Sequence, residues 1–165
     1  MESHRDSREG GRPDTGRGGA WLLGQIALLA AVALAPRRVA GLPALPEALV
    51  RPSEIAGLLA GAIGGLLALA GARTLGPNLT AFPRPRDDGA LVQDGVYGKV
   101  RHPIYGGVVL LALGWSLLRK SIPSLALTVV LALFLDRKAR REETWLVEKF
   151  ADYRAYQDRV RRRIL

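Results

Sequence analysis

The residues with types and spacing suited to chemistry lie in two short blocks. The first is Asp94-Gly-Val-Tyr-Gly-Lys-Val-Arg-His-Pro-Ile-Tyr105, a polar turn that opens an apolar run at Ile104. Pro103 suits the first turn of a helix, where its missing N–H costs nothing. Arg101 and His102 would then stand just before that helix, beside free backbone N–H groups that can hold an anion. The plain alternative is that they mark where helix meets water. The second block is Arg140-Arg141-Glu142-Glu143. Paired carboxylates near an Arg-His turn can take a cationic or hydroxyl-rich ligand. They can equally be solvated residues offsetting Arg140 and Arg141.

The elements around these blocks are read from charge and hydropathy. The chain has 165 residues, 48% hydrophobic and 24% charged. Its apolar residues are segregated into four runs, Ala20–Ala35, Ile55–Ala72, Ile104–Leu118 and Ile122–Leu135. A soluble bundle would break such runs with polar faces. The expected fold is all-α, a polytopic integral membrane protein of about four transmembrane helices. The last two runs are short for a bilayer. Separated only by Arg119, Lys120 and Ser121, they read as a tight hairpin helped by snorkelling ends. Ala33-Leu34-Ala35 resembles a signal cleavage site, but Pro36 follows it and the leader has no net positive charge, so the first run is read as retained.

Residues 1–19, with four Arg, four acidic residues and five Gly, read as a disordered leader, and 20–165 as one membrane domain. Pro36–Ser53, with four prolines, reads as an irregular loop. Gly57, Gly61 and Gly65 share one helix face for close packing, within the chain or in a homodimer. After Leu135 the chain turns basic. Trp145, Leu146, Phe150, Tyr153, Tyr156 and Val160 recur at helical intervals, which predicts one amphipathic helix over Asp136–Leu165.

Four crossings place 19 of the 24 Lys and Arg on one side, with both termini and both blocks, and 5 on the other. The positive-inside bias makes the first side cytoplasmic. The net charge of +9 is thereby accounted for as topology and contact with anionic lipid, with no nucleic-acid partner implied. The absence of cysteine excludes thiol chemistry, and His4 and His102 make no zinc pattern, so no metal is expected.

The stretch Gly89–Gly107, the hairpin, and then Glu142-Glu143-x-x-Leu146 with Phe150, Tyr153, Tyr156 and Val160 resembles the isoprenylcysteine carboxyl methyltransferase family and the related membrane phospholipid N-methyltransferases. The resemblance runs from Leu75 to the C-terminus, so 75–165 would be the cofactor-binding part. It implies a membrane methyltransferase using S-adenosylmethionine on the cytoplasmic face, acting on a lipid or lipidated acceptor. It also implies cofactor contacts from Leu91, Val92, Val96, Tyr97, Arg101, His102, Pro103, Tyr105, Glu142 and Glu143, with His102, Tyr105, Glu142 and Glu143 closest to the chemistry. Arg101, His102 and a helix N-terminus would hold the cofactor's carboxylate, a Glu its ammonium or ribose, and Val96, Tyr97 and Leu146 its adenine. A substrate-facing basic residue is expected among Arg137, Lys138 and Arg140. The richness in Ala, Arg and Gly resembles proteins of GC-rich bacteria, hence a bacterial plasma membrane. Two readings compete. Sterol-reductase-like membrane proteins carry a similar Arg-His-Pro turn and bind NADPH, but a 2′-phosphate asks for Arg or Lys where Glu142 and Glu143 stand. The other is a non-enzymatic helical membrane protein.

Overall fold

Five α-helices form among the described residues, with no strand: α1 Gly19–Leu34, α2 Glu47–Leu75, α3 Pro103–Arg119, α4 Ile122–Lys149 and α5 Tyr153–Arg159. The computed structural model describes residues 18–41, 46–82 and 88–165. Apart from Gly18 and Gly19, the expected leader lies outside them. The all-α expectation holds.

Two boundaries differ from expectation. Residues 47–53 are helical and not loop, with Pro52 inside α2. The carbonyl that Pro52 leaves unbonded belongs to Ala48, on an exposed first turn, so the helix tolerates it. Nor does a helix end at Leu135. α4 runs unbroken for 28 residues, about 42 Å, from the apolar run through the charged one. From Asp136 to Glu148 the chain is mostly strong helix formers, with no Gly or Pro. The shift from greasy to charged therefore marks a change of surroundings along one helix. The expected C-terminal amphipathic helix becomes the second half of α4, the short α5, and an extended strap from Val160 onward.

α3 is the central helix, packed against α1, α2 and α4. Its seam with α2 is built on glycines. A Cβ at Gly64 would lie 2.7 Å from the Gly107 carbonyl, and one at Gly114 would lie 2.6 Å from that of Gly57 and 2.7 Å from the Gly61 nitrogen. Only backbones without side chains can approach this closely. The contact line runs Gly57, Gly64, Gly71, at spacing seven where spacing four was expected. Gly57 and Gly61 are used within the chain, and a Cβ on Gly65 would reach only Leu111, at 3.9 Å.

α1 lies on α4, where Trp21 meets Phe134 with ring centroids 5.2 Å apart. The α3–α4 turn caps its end. Arg119 donates to the carbonyls of Ala33 and Ala35, both at 2.9 Å, and Ser121 Oγ donates to that of Pro36 at 2.7 Å. Inside, Ser116 Oγ is bonded to Ser124 Oγ at 2.7 Å and Thr128 Oγ1 at 3.0 Å, and Ser124 Oγ donates to the Val32 carbonyl. These hydroxyls tie α1, α3 and α4 together where water is excluded, each with a partner.

The outside is apolar. Leu58, Leu59, Ile63 and Leu66 of α2, Leu23 and Leu34 of α1, and Val129 and Leu133 of α4 are all exposed. One helix, extended by a 3-10 turn to Glu47–Asn78, is long and apolar enough to cross a membrane, and only 17% of its most apolar stretch is buried. A soluble core helix would be mostly buried, whereas this one presents its greasy face outward, as a lipid solvent requires. α1 and α3, at 16 and 17 residues, are shorter than a usual span.

Candidate active site

The two blocks meet at one end of the bundle. A hairpin that leaves from His102 and returns along α4 brings Glu142 and Glu143 back beside the turn. His102 stands at the N-cap of α3 with Pro103 at its first position. The backbone donors ahead of the helix are taken by the chain itself. The amide of Arg101 donates to the carbonyl of Arg162 at 3.0 Å, and that of His102 to the carbonyl of Arg163 at 2.7 Å. The Ile164 carbonyl lies so close over Gly106 that no Cβ would fit. The C-terminal strap therefore takes the two amides just ahead of α3, while Arg101, His102, Ile104 and Tyr105 still line a cavity there.

Arg101 and Glu143 form a buried clamp. Arg101 Nε donates to Glu143 Oε1 at 2.7 Å, and its Nη1 to the carbonyls of Val160 at 2.6 Å and Arg161 at 3.2 Å. His102 Nε2 is 3.2 Å from the same Oε1, while Gln157 and Arg163 donate to Oε2 at 3.2 and 3.1 Å. Burial alone would raise the Glu143 pKa, but the hydrogen bonds from His102 and Arg101 outweigh it and bring it down to about 2. Arg101 and Glu143 thus hold strap, turn and α4 together.

Glu142 points elsewhere. It lines a cavity of about 450 Å³, together with Tyr97, His102, Tyr105, Lys138 and Leu146. This volume falls within the range of small-molecule sites. Tyr105 Oη donates to Glu142 Oε2 at 2.8 Å, and His102 Nδ1 is 3.7 Å from that oxygen, too far for a hydrogen bond. The ring of His102 is stacked on that of Tyr105, centroids 5.4 Å apart. Burial raises the Glu142 pKa against the opposing pull of His102, Tyr105 and Lys138. Its side chain is 23% exposed, and what it is exposed to is the cavity.

Lys138 is a second cation in the cavity wall, beside Arg101. Only 1% of it is exposed. Its Nζ donates to Gln25 Oε1 at 2.6 Å and to the Ala81 carbonyl at 3.3 Å, and lies 5.2 Å from the Tyr105 ring centroid. Among the described residues, no carboxylate forms an ion pair with it. Burial lowers its pKa, with Glu142 opposing. Apart from Arg101, which is paired with Glu143, the cavity wall therefore holds one buried cation and one partly buried anion, each short of a full partner, which is costly without a ligand bearing the complementary charges. The aromatic wall is neutral: burial pushes the Tyr97 phenol up with help from Glu142, and pushes Tyr156 up to about 12 against the pull of Arg101.

Of the residues named from sequence, Leu91, Val92, Tyr97, Arg101, His102, Tyr105, Lys138 and Glu142 line the cavity. Val96, Pro103 and Glu143 do not line it, and Pro103 is packed where Gly71 leaves room. Arg137 and Arg140 are exposed. Arg140 pairs with Asp136, one turn back along α4. Sequence reading missed Gln25, Asn78, Thr80 and Ala81, which also line the cavity. Gln25 had a signal: it is the one hydrogen-bonding amide or hydroxyl side chain in the first apolar run, and a polar side chain at such depth points to function. Asn78 Oδ1 accepts from the Ala90 amide at 2.9 Å.

Comparison with known proteins bears on this geometry. A family described as phospholipid methyltransferase matches residues 53–153, more than half the chain. The chain is also similar to a protein-S-isoprenylcysteine O-methyltransferase of Schizosaccharomyces pombe. The two are 40% identical over 85 residues, covering 50% of this chain and 36% of that protein. The chain thus spans little more than a third of that relative's length.

Proposed function

Because this chain belongs to the phospholipid methyltransferase family, we propose that its cavity binds S-adenosylmethionine and that the protein transfers the methyl group to a lipid or lipidated acceptor. One observation carries the reading: Lys138, a buried cation, and Glu142, a partly buried anion, flank Tyr105 in a cavity whose wall also carries Arg101, His102 and several apolar and aromatic side chains. That is the complement of a zwitterionic amino-acid end joined to a flat aromatic base. Lys138 would hold the cofactor's carboxylate. Glu142 would accept from its ammonium or ribose hydroxyls, and Tyr97 and Leu146 would flank the adenine. Arg101 was expected on the carboxylate, but its Nε and Nη1 already serve Glu143 and the strap, which favours Lys138 for that task.

When bound, S-adenosylmethionine supplies a methyl group on a positively charged sulfur. The residues here align and shield. The face of Tyr105 suits a cation, and Leu79, Leu91, Leu146 and Phe150 give the cavity an apolar wall. Good alignment of two reactants is worth roughly 7–11 kcal/mol. A carboxylate acceptor needs no base. For an amine, Glu142 is the wall group whose raised pKa suits it to take a proton.

The acceptor reading follows from the relative, whose name gives an isoprenylated cysteine as the methylated group, and from the apolar exterior beside the cavity. Four crossings, with both termini and the cavity cytoplasmic, fit the charge distribution and the meeting of the α2 end, the α3 start and the α4 tail at one pole. The test is transfer of tritiated methyl from S-adenosylmethionine by purified protein in liposomes, offered a farnesylated cysteine or phosphatidylethanolamine. Label in the lipid phase supports the proposal. Binding without transfer to either acceptor removes the lipid part of it.

A further inference from the structure

The strap beyond α5 lies outside the residues matched to the family. It is bonded to the turn at several consecutive positions. We propose that it is a working part of the site, with Arg163 as a positioning residue that fixes the ring of His102 through Glu143.

Residue 163 reaches His102 twice. Its carbonyl accepts from the His102 amide at 2.7 Å. Its guanidinium donates to Glu143 Oε2 at 3.1 Å, and Oε1 of the same carboxylate holds the His102 ring at Nε2. The other end of the fork donates to Asp136 Oδ1 at 3.1 Å, so Arg163 spans two turns of α4. Closing the chain end needs only the backbone bonds and the burial of Val160. The guanidinium under Glu143 does something more: it fixes the carboxylate plane, and so the direction from which the imidazole is held.

The charged and titratable groups facing Glu143 are Arg101 and His102 from the turn, Glu142 from its own helix, Tyr153 and Tyr156 from α5, and Arg163 from the strap. With so many donors the carboxylate stays ionised, and Nε2 of a neutral His102 must carry the proton. Nδ1 is then left bare toward Glu142 and the cavity. The strap thus sets which imidazole nitrogen faces the ligand. This rests on reading the cavity as the ligand site, but its first readout needs no ligand.

The chain has two histidines, His4 and His102. Their imidazole ¹⁵N shifts in full-length protein in micelles, which differ between the two neutral tautomers and the imidazolium, can be assigned with His102→Asn. The parent is expected in the Nε2–H form. In Arg163→Gln the Nδ1–H form should rise, and S-adenosylmethionine should bind about five- to tenfold more weakly. Arg163→Lys keeps the charge but offers one point donor in place of a fork. It is expected to fold even if the Gln variant does not, with an intermediate tautomer ratio. Arg161→Gln, on an exposed side chain of the same strap, should match the parent. A parent-like tautomer in every folded Arg163 variant overturns the proposal. If the ratio responds while the parent binds no S-adenosylmethionine, the positioning role stands and the cofactor reading falls.

Discussion

Two faces of α4 lie side by side beyond Leu135 and behave in opposite ways. Asp136, Ala139 and Glu143 face the turn and strap, where every charge is answered within the chain. Lys138, Glu142 and Leu146 face the cavity, where the charges are only partly answered. Glu142 and Glu143 are chemically identical neighbours, yet burial raises the pKa of the first, while in the second hydrogen bonds override burial and lower it to about 2. A step of one residue on a helix turns a side chain by about 100°. Here that turn separates a carboxylate that holds the fold from one left for a ligand.

The comparison breaks most visibly at Glu143. Glu143→Ala would leave Arg101 buried beside an empty place, at a cost of about 3–5 kcal/mol. It should sharply lower the unfolding midpoint in micelles. A loss below about 1 kcal/mol would mean that the strap face is not the structural one.

Acid probes the same face more gently. The folded pKa of Glu143 is depressed, so its contribution is fully present above the unfolded value near 4.5 and is lost as pH falls toward about 2. Midpoints followed downward from about pH 6 should drop more steeply in the parent than in Glu143→Gln, which has no charge there to lose. Parallel curves would contradict the assignment.

Glu142 should show the opposite sign. Its folded pKa is raised, so a penalty appears as pH climbs through the unfolded value and is complete above the folded one. Glu142→Gln should therefore melt at or above the parent temperature at neutral pH, with the difference vanishing in acid. A lower midpoint at neutral pH would place Glu142 on the structural side. The smallest effect is expected at Arg140→Gln, an exposed pair with Asp136, at most about 0.5 kcal/mol. Transfer activity should stay at the parent level.

The pairing of the two blocks was legible because a hairpin between polar ends must return to the side it left. The role of Arg101 was not. Two of its partners are the carbonyls of Val160 and Arg161, and backbone acceptors 59 and 60 positions away carry no side-chain signature. The division between Glu142 and Glu143 was hidden for a related reason: identical residues differ only in helix register, which the unbroken passage of α4 through Leu135 decides. The glycine seam was half legible. The small residues stood out, but the partner glycines 107 and 114 select the seven-residue spacing. Arg137, Lys138 and Arg140 looked interchangeable in sequence, and only Lys138 turns inward.

The central claim is that the cavity face takes S-adenosylmethionine while the strap face holds the fold. Titration calorimetry of S-adenosylmethionine into parent and Glu142→Gln protein in micelles, with unfolding midpoints taken on the same samples, tests it most directly. A charge-assisted hydrogen bond of about 1.5–3 kcal/mol predicts affinity falling by one to two decades in the variant, with the midpoint held or raised. Equal affinity in the two proteins, or no binding by the parent, would contradict it.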